Sequence, residues 1–356
     1  MRDSLPDMAR TDFYPLTVAA VDPLTDDAAA VTFDVPPGLG ETFRFAPGQS
    51  LTVRRGDERR SYSICAPAGH PPRIGVREVA GGAVSGWLVR EVRPGDVIDV
   101  QAPAGSFTPD LSVPGHHVLI AAGSGITPVL SIAASVLAAH PGSRVTLLYG
   151  NRRSDSVMFT EEVADLKDAF PDRMQLVHVL SREAQEVDLY AGRLDAGKLT
   201  TLLPVTVDVP AVAHWWLCGP FGMVTGAIEV LTGLGVSRDR IHRELFYVGD
   251  EPPPEVHHAD AAAGPGAEVT VILDGRSTTV TIPPGVPVLD GAQKARADLP
   301  FACKGGVCGT CRALVTRGEV RMRRNYALED SELAAGFILT CQSLPVTDTV
   351  TVDYDS

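Results

Sequence analysis

The chain has 356 residues, of which 31 are Lys or Arg and 44 are Asp or Glu, so its formal net charge is −13. This length predicts two or three domains, because a single domain typically holds roughly 150 residues. Hydrophobic residues make up 44% and charged residues 21% of the chain, which excludes a disordered or low-complexity protein. The excess of acidic over basic residues argues against nucleic acid as a partner.

The chain begins with residues 1–12, which contain acids and a proline and lack the apolar core of a secretory signal. We therefore expect a cytoplasmic protein. Cysteines stay reduced in that compartment, so a tight group of cysteines there is expected to hold a metal or a cluster rather than disulfides.

Residues 15–110 contain short β-segments separated by turn residues. The segments are 16–21, 30–33, 50–53, 60–64, 73–77 and 97–100. Regular spacing of short strands predicts a small antiparallel barrel, with one short helix at 82–89. We assign residues 1–112 to this first domain.

From residue 115 onward, apolar strands alternate with longer helical stretches. Strands are predicted at 117–122, 144–149, 174–180 and 215–218, and helices at 127–139, at 159–170 and from 223. The alternation predicts a parallel sheet covered by helices, which we assign to residues 113–248. The longest apolar stretch, 118–139, is broken by glycines and a proline, so no membrane span and no membrane partner are predicted.

A glycine turn, Gly123-Ser124-Gly125, directly follows the first strand of this second domain and directly precedes a helix. In that setting, backbone N–H groups and the helix N-terminus bind the phosphates of a dinucleotide. An ordinary tight turn is the alternative interpretation. Because the context matches on both sides, we favour a nucleotide site.

Residues 249–266 are rich in Pro, Ala, Gly and acid and predict a linker. The segments 268–273 and 277–282 flank Asp274-Gly275 and predict a β-hairpin, followed by a short helix near 288–296. Residues 267–356 are therefore assigned to a third domain.

Four of the six cysteines fall in the last 54 residues, as Cys303-x4-Cys308-x2-Cys311 and the distant Cys341. This is the plant-type spacing of a [2Fe–2S] cluster held by four thiolates. Glycines between these cysteines allow backbone N–H groups to turn toward the sulfurs. A four-cysteine zinc site is the alternative, although such sites usually pair two short cysteine hooks. Cys65, outside this group, is expected to be a core residue.

The segment 302–311, together with 325–328 and 333–345, resembles a plant-type ferredoxin domain. Nearly the whole chain resembles the reductase subunits of bacterial phenylacetyl-CoA ring epoxidases, which place a ferredoxin–NADP reductase module before a ferredoxin. The resemblance implies a multidomain fold with an antiparallel flavin-binding β-barrel, an α/β parallel-sheet nucleotide domain and an α+β β-grasp ferredoxin domain. It implies three cofactors: FAD, a [2Fe–2S] cluster and NADPH, with NADH as the open alternative.

Arg60-Ser-Tyr-Ser63 matches the Arg-x-Tyr-Ser flavin motif of the ferredoxin–NADP reductase superfamily. The resemblance implies that Arg60 contacts the flavin pyrophosphate, that Tyr62 stacks on the isoalloxazine and that Ser63 lies near flavin N5. A second phosphate-binding element of the family is matched at the start of the first helix. Its residues are Gly81, Gly82 and Ser85.

The same resemblance assigns residues around the nicotinamide. Thr127 lies close to it in the family pattern, and the strand end Cys218-Gly219-Pro220 places the Cys218 thiol beside the carbon that gives hydride. A buried apolar cysteine is the alternative for Cys218. Glu244 and Phe246 match a terminal segment that lies near the flavin. The implied catalytic residues are Ser63, Cys218 and Glu244.

Two loops are candidates for the 2′-phosphate of NADPH. Arg152 follows one strand, and Ser181-Arg182 follows the next and resembles the NADP-binding position of plant-type reductases. A guanidinium and a hydroxyl suit a phosphate dianion, so NADPH is favoured over NADH. Solvated surface arginines are the alternative.

The resemblance implies an electron-transfer enzyme. Hydride passes from NADPH to FAD, and single electrons then pass through the cluster to a diiron oxygenase component that epoxidises the ring of phenylacetyl-CoA. Alternatives are the reductase of another multicomponent oxygenase acting on steroids or aromatics, a redox sensor and a free-flavin reductase. Arg317, Arg321, Arg323 and Arg324 form a basic patch near the cysteines, which either meets an acidic partner or is simply solvated.

Overall fold

The computed structural model describes residues 13–247 and 266–356, which fall into two compact units. The first unit holds 15–58 and 62–247, and the second holds 266–356 together with 13–14 and 59–61. The predicted linker 249–266 lies outside the described residues except for its last glycine.

The first half of the first unit is an antiparallel sheet with one helix. Its elements are β1 (Phe13–Thr25), β2 (Ala28–Asp34), β3 (Ser50–Arg55), β4 (Glu58–Ser63), β5 (Arg73–Arg77), α1 (Ala83–Arg90) and β6 (Val97–Gln101). The strand order is β4, β3, β6, β1, β2, β5. Alternate residues of β1 point inward, among them Leu16 and Val18. A bridge between Ile64 and Ile74 joins the two outer strands, so the sheet curls into the predicted barrel.

The second half of the first unit is a parallel sheet with helices. Its elements are β7 (His116–Ala122), α2 (Ile126–Ala139), β8 (Arg144–Asn151), α3 (Thr160–Ala169), β9 (Met174–Leu180), α4 (Ala196–Thr206), β10 (His214–Pro220), α5 (Phe221–Gly233) and β11 (Ile241–Tyr247). The strand order is β11, β10, β7, β8, β9, and all four pairings are parallel. The chain leaves β7 on one side and returns beside it as β10. The gap above these two strands is a topological switch point, where α/β sheets bind ligands.

Barrel and parallel sheet share one hydrophobic core. Ala28 and Ala30 of the barrel belong to the same buried cluster as Leu119 and Ile126. Phe107, which follows the barrel strands, packs edge-on against Trp216 of β10, with 5.2 Å between ring centroids. Burial of such large apolar side chains contributes roughly 1.5–3 kcal/mol each. The two halves are therefore held together by packing and not by the connecting chain alone.

Histidines cluster near the start of the parallel strands. His117 is 2% exposed, and its Nδ1 accepts a hydrogen bond of 3.1 Å from the indole of Trp216. Nδ1 of His214 and Nε2 of His242 lie 3.1 Å apart. Burial, followed by the charges of the neighbouring histidines, lowers the pKa of His117 from 6.5 to about 4. The native state therefore holds this imidazole neutral.

We expect acid to destabilise the first unit through His117. A lowered histidine pKa leaves full stability above pH 6.5, and stability then falls as the unfolded chain takes up the proton between pH 6.5 and about 4. The total loss is about 3 kcal/mol for this histidine. Urea unfolding followed by the fluorescence of the buried tryptophans at several pH values measures it. His117→Asn retains an acceptor for Trp216 and should flatten the dependence, whereas an unchanged slope would assign it to other groups.

The second unit contains a mixed sheet, a two-stranded ribbon and two short helices. Its elements are β12 (Ala267–Leu273), β13 (Arg276–Ile282), α6 (Val288–Ala292), β14 (Arg312–Arg317), β15 (Val320–Met322), α7 (Asp330–Ala334), β16 (Phe337–Leu339), β17 (Ser343–Pro345) and β18 (Thr349–Asp353). The sheet order is β13, β12, β18, β14, β16, and β15 pairs with β17 in the ribbon. The last strand, β18, inserts parallel to β12 at the centre. This is the expected α+β β-grasp arrangement.

The predicted hairpin at the start of the second unit is confirmed. Asp274 and Gly275 both have positive φ, 53° and 67°, as a two-residue turn between twisted strands requires. Val269 and Val271 point into the core from alternate positions of β12. Among the described residues, no helix combines the length and the apolar character that crossing a bilayer requires.

Candidate functional site

The glycine turn lies at the switch point of the parallel sheet. Gly123 has φ of 56°, and the hydroxyl of Tyr149 donates to its carbonyl at 3.1 Å. A Cβ on Gly125 would overlap the carbonyl group of Cys218. The glycines therefore let the turn pack directly on the end of β10, and Thr127 donates from Oγ1 to the carbonyl of Ser124 at 3.0 Å, which holds the turn closed.

The three predicted catalytic residues come together at this point. Cys218 lies opposite Glu244 in the register of the parallel strands β10 and β11. The hydroxyl of Ser63, at the end of β4, donates to Oε2 of Glu244 at 3.4 Å, across 181 residues of sequence. Ser63 and Cys218 are both buried, with 3% and 0% of their surface exposed. A barrel strand and two parallel strands thus contribute one side chain each.

The electrostatics of this group keep it neutral. Burial raises the pKa of the Glu244 carboxyl to about 8, and the hydrogen bond from Ser63 lowers it in part. Glu244 as a whole is half-buried, but protein atoms surround its carboxyl group. Burial and then the Glu244 carboxyl raise the pKa of the Cys218 thiol. At neutral pH the site therefore holds a protonated carboxyl, a hydroxyl and a thiol, all able to hold or pass protons.

The predicted flavin residues lie along β4 and at the start of α1. Arg60 is exposed and Tyr62 is half-buried. Gly81 has φ of 74°, and helix α1 begins after Gly82 with no side chain capping its N-terminus. The first backbone N–H groups of α1 are therefore suited to bind a pyrophosphate, and the residues fit a flavin dinucleotide.

The hydroxyl of Ser85 has a structural partner. Its Oγ accepts a hydrogen bond from the backbone N–H of Val79 at 3.1 Å and donates to the carbonyl of Gly82 at 3.4 Å. A Cβ at Gly82 would overlap this same Oγ. The side chain of Ser85 thus holds the turn that presents the helix N-terminus.

The two candidate 2′-phosphate loops lie side by side at the ends of β8 and β9. The N–H of Arg182 donates to the carbonyl of Arg152 at 2.8 Å, and both side chains are exposed, next to the half-buried Ser181. Glu183 accepts hydrogen bonds from the N–H and the Oγ of Ser154, at 2.8 and 2.9 Å. These bonds tie the two loops together, and they lower the pKa of Glu183.

Several residues of this region were not predicted from the sequence. They are Arg77, Tyr149 and Glu183. Arg77, the last residue of β5, places its guanidinium beside Gly123, donates to the carbonyl of Ser156 at 2.7 Å and lies 3.3 Å from Asp27. No motif marks such residues, because each acts on a loop far away in sequence. The one signal at Arg77 was a basic residue at a strand end shortly before Gly81-Gly82.

The predicted flavin-side residue Phe246 is 37% exposed near the end of β11.

The cysteine loop of the second unit turns backbone donors toward sulfur. The N–H groups of Gly305, Val307 and Cys308 each point at Sγ of Cys303, at 3.3, 3.5 and 3.4 Å. Lys304 has φ of 51°, an uncommon backbone conformation for a residue with a side chain. Loops that hold such conformations are found at ligand sites, where the surrounding structure maintains the strain.

The four thiols form two pairs. Cys308 hydrogen-bonds to Cys303, which together with the backbone donors holds the pKa of Cys303 below its usual range. Cys311 hydrogen-bonds to Cys341 and also interacts electrostatically with Cys308. Within the described residues, no three His, Cys, Asp or Glu side chains surround a single ion site. Two adjacent thiol pairs instead fit a cluster of two irons with two thiolates each, supplied with N–H···S bonds.

Two protein families match parts of the chain. Residues 271–346 match the 2Fe-2S iron–sulfur cluster binding domain, which decides between a cluster and the zinc alternative. Residues 119–229 match the oxidoreductase NAD-binding domain, which includes the glycine turn and Cys218. These matches support the predicted cluster and pyridine-nucleotide sites.

Similar proteins extend over nearly the full length. The chain is 42% identical to one subunit of the 1,2-phenylacetyl-CoA epoxidase of Escherichia coli, covering 97% of this chain and 99% of that protein. It is 36% identical to the ferredoxin reductase component of 3-ketosteroid-9-alpha-monooxygenase of Mycobacterium tuberculosis, with 96% and 95% covered. Phthalate dioxygenase reductase has a similar fold, with a TM-score of 0.59, 23% identity and 96% and 98% of the two chains covered. The chain belongs to the family of oxygenase reductase components in which a ferredoxin–NADP reductase-like module for FAD and a pyridine nucleotide precedes a C-terminal [2Fe–2S] ferredoxin domain.

Proposed function

We propose that this protein takes hydride from NADPH and delivers single electrons to a diiron oxygenase component that epoxidises phenylacetyl-CoA. The meeting of Ser63, Cys218 and Glu244 at the switch point, in a chain that also carries the paired cysteines, supports the electron-transfer part. The 42% identity to a protein of the phenylacetyl-CoA epoxidase over 97% of the chain supports the acceptor.

Each residue group has a defined task in this proposal. When bound, the flavin accepts hydride and releases its two electrons one at a time to the cluster. Arg60 and the N-terminus of α1 hold its pyrophosphate, and Tyr62 packs on its ring. The Cys218 thiol supports the nicotinamide, and the backbone carbonyl of Cys218 packs on Gly125. Glu244 and Ser63 would hold a proton between Oε2 and Oγ, available to neutralise the negative charge that a bound flavin gains with hydride.

The nucleotide is held by the loops that follow the parallel strands. Gly123 and Gly125 bring the N-terminus of α2 to its phosphates, and Thr127 closes their turn beside the nicotinamide. Gly219 and Pro220 carry the end of β10 past the same point. We propose 1–112, 113–248 and 267–356 as the flavin, nucleotide and ferredoxin domains with 249–266 as linker. We propose a cytoplasmic location, because a reducing compartment keeps the four cluster ligands and the buried Cys65 and Cys218 out of disulfides.

We expect Arg182→Ala to raise the KM for NADPH by about tenfold or more while leaving the KM for NADH nearly unchanged, because a charge-assisted bond to the 2′-phosphate contributes roughly 1.5–3 kcal/mol. Steady-state ferricyanide reduction with each nucleotide measures both constants. Arg193→Ala, another exposed arginine on this domain, is the control. Equal increases for the two nucleotides would remove Arg182 from 2′-phosphate recognition and leave Ser181 and Arg152 to be tested by their own variants.

The proposed function is tested by an anaerobic titration with NADPH followed by mixing with oxygenase components. The flavin and iron–sulfur absorbance should bleach together, and phenylacetyl-CoA epoxidation should then depend on this protein. The 36% identity to the steroid monooxygenase reductase component supports a second candidate acceptor. Product formation only with a steroid hydroxylase component would replace the first acceptor. Bleaching without delivery to any acceptor would favour a redox sensor, and delivery without the second unit would favour a free-flavin reductase.

A further inference from the structure

Positive charge is concentrated on one short stretch of the second unit. Residues 267–356 contain nine basic and eleven acidic side chains, yet four of the nine lie within eight positions around β15. These are Arg317, Arg321, Arg323 and Arg324, and all four are exposed. The ion pairs of this unit use other basic residues, such as Arg296 and Arg312. The same stretch also contains one acidic residue, the exposed Glu319, and its net positive charge faces solvent.

This stretch touches the cysteine loop through its backbone. The N–H of Arg323 donates to the carbonyl of Gln342, the residue after the fourth cysteine, at 2.8 Å. A Cβ on Gly306, inside the loop, would lie 3.3 Å from the carbonyl oxygen of Arg324. The N–H of Tyr326 donates to the carbonyl of Gly306 at 3.0 Å. The backbone of Arg323 and Arg324 thus lies directly against the cluster-binding loop.

An exposed apolar residue lies at one end of the same ribbon, beside Glu319. Val346 follows β17, the partner of β15 in the ribbon, and is 59% exposed. Its N–H donates to the carbonyl of Glu319 at 2.9 Å, immediately before β15. Exposed apolar and charged side chains occur together in protein–protein contacts. We define the docking face as Arg321, Arg323, Arg324 and Val346.

We propose that the docking face delivers electrons to an acidic surface of a protein acceptor. The inference rests on the proposed electron-transfer function and adds the charge of the partner. A chain with a net charge of −13 is repelled by an acidic protein in most orientations. The docking face is locally positive and attracts an acidic partner, so the complex forms with the cysteine loop next to that partner. Electrostatics then selects the one orientation that is productive for electron transfer.

The test uses the full-length holoprotein with the double variant Arg321→Glu/Arg324→Glu. Arg323 is retained because its guanidinium donates to the carbonyl of Gly285 at 2.9 Å. The control Arg276→Glu/Lys294→Glu changes the same charge at exposed residues of β13 and the segment after α6. Two haem proteins of opposite surface charge act as acceptors: the acidic cytochrome b5 and the basic cytochrome c.

At low salt, the double variant should reduce the acidic cytochrome about tenfold more slowly than the wild type and the basic cytochrome faster. Salt should remove the difference. The control should retain wild-type rates, and NADPH should bleach flavin and cluster in every variant. The inference would be overturned if the double variant changed the reduction rates of both cytochromes equally or changed neither rate. It would also be overturned if the double variant weakened binding of a DNA duplex without affecting the cytochromes. Failure of wild-type protein to serve the oxygenase component would contradict the proposed acceptor alone.

Discussion

Replacing Cys308 with serine is expected to abolish electron delivery to cytochrome c while NADPH still bleaches the flavin. Cys308 hydrogen-bonds to Cys303 and lies next to the pair formed by Cys311 and Cys341. Its loss removes one of four thiolates, and a serine hydroxyl is a poor ligand for cluster iron. The hydride site lies on other elements and keeps its residues. Stopped-flow absorbance follows flavin bleaching, and steady-state assays follow cytochrome c.

Cys65→Ser is the matched control for this prediction. Cys65 is 3% exposed in the core of the first unit, and its thiol donates to the carbonyl of Arg73 at 3.1 Å, a bond that a hydroxyl can replace. We expect wild-type iron content and delivery from it. Full cytochrome c reduction by Cys308→Ser would contradict the cluster assignment, and loss of flavin bleaching would place Cys308 in the hydride step.

Glu244→Gln is expected to slow flavin reduction by NADPH by about 100-fold, the range of general acid–base catalysis. The amide fills the same space but cannot exchange a proton with Ser63. In the wild-type protein the rate should fall as pH rises through about 8, where the carboxyl ionises. The variant should lose this titration. Stopped-flow measurements between pH 6 and 9 record both rates.

The stability of the protein offers a second readout for Glu244. A raised carboxyl pKa means that the native state holds the proton more tightly than the unfolded chain, so stability falls as pH rises from 4.5 to about 8. Glu244→Gln should remove that decline. Glu229→Gln, at an exposed position of α5, should not change it. A variant with an unchanged pH profile and an unchanged rate would exclude Glu244 from proton exchange.

Most elements of the fold follow from local sequence patterns. The strand at 174–180 matches its predicted bounds, α2 begins one residue earlier than predicted, and α3 is one residue shorter than predicted at each end. Helix α4 was missed because Pro204 interrupts its pattern, although Asp195 caps its start by accepting from the N–H of Lys198 at 3.0 Å. The helix predicted at 288–296 ends at Ala292. Strands of three residues such as β15 and β17 carry too little pattern to be identified.

The candidate site could be predicted as separate parts and not as an arrangement. Motifs marked the flavin strand, the glycine turn and the cysteines because each is a local pattern with its own chemistry. The contact between Ser63 and Glu244 depends on the packing of barrel against sheet, which no local pattern encodes. Tyr149 and Glu183 escaped notice for the same reason, since each holds a loop through hydrogen bonds to residues far away in sequence.

The core shared by the barrel and the parallel sheet limits how this reductase can be re-engineered. A cut near residue 112 would expose Ala28, Ala30 and Phe107, which are buried against the sheet. Exchanging a whole flavin or nucleotide half with a relative would therefore require a repacked interface, and mismatched chimeras should aggregate. Nucleotide preference is better altered by substituting the exposed residues at the start of the loops after β8 and β9, because Val157, Met158 and Phe159 farther along the first loop belong to that core.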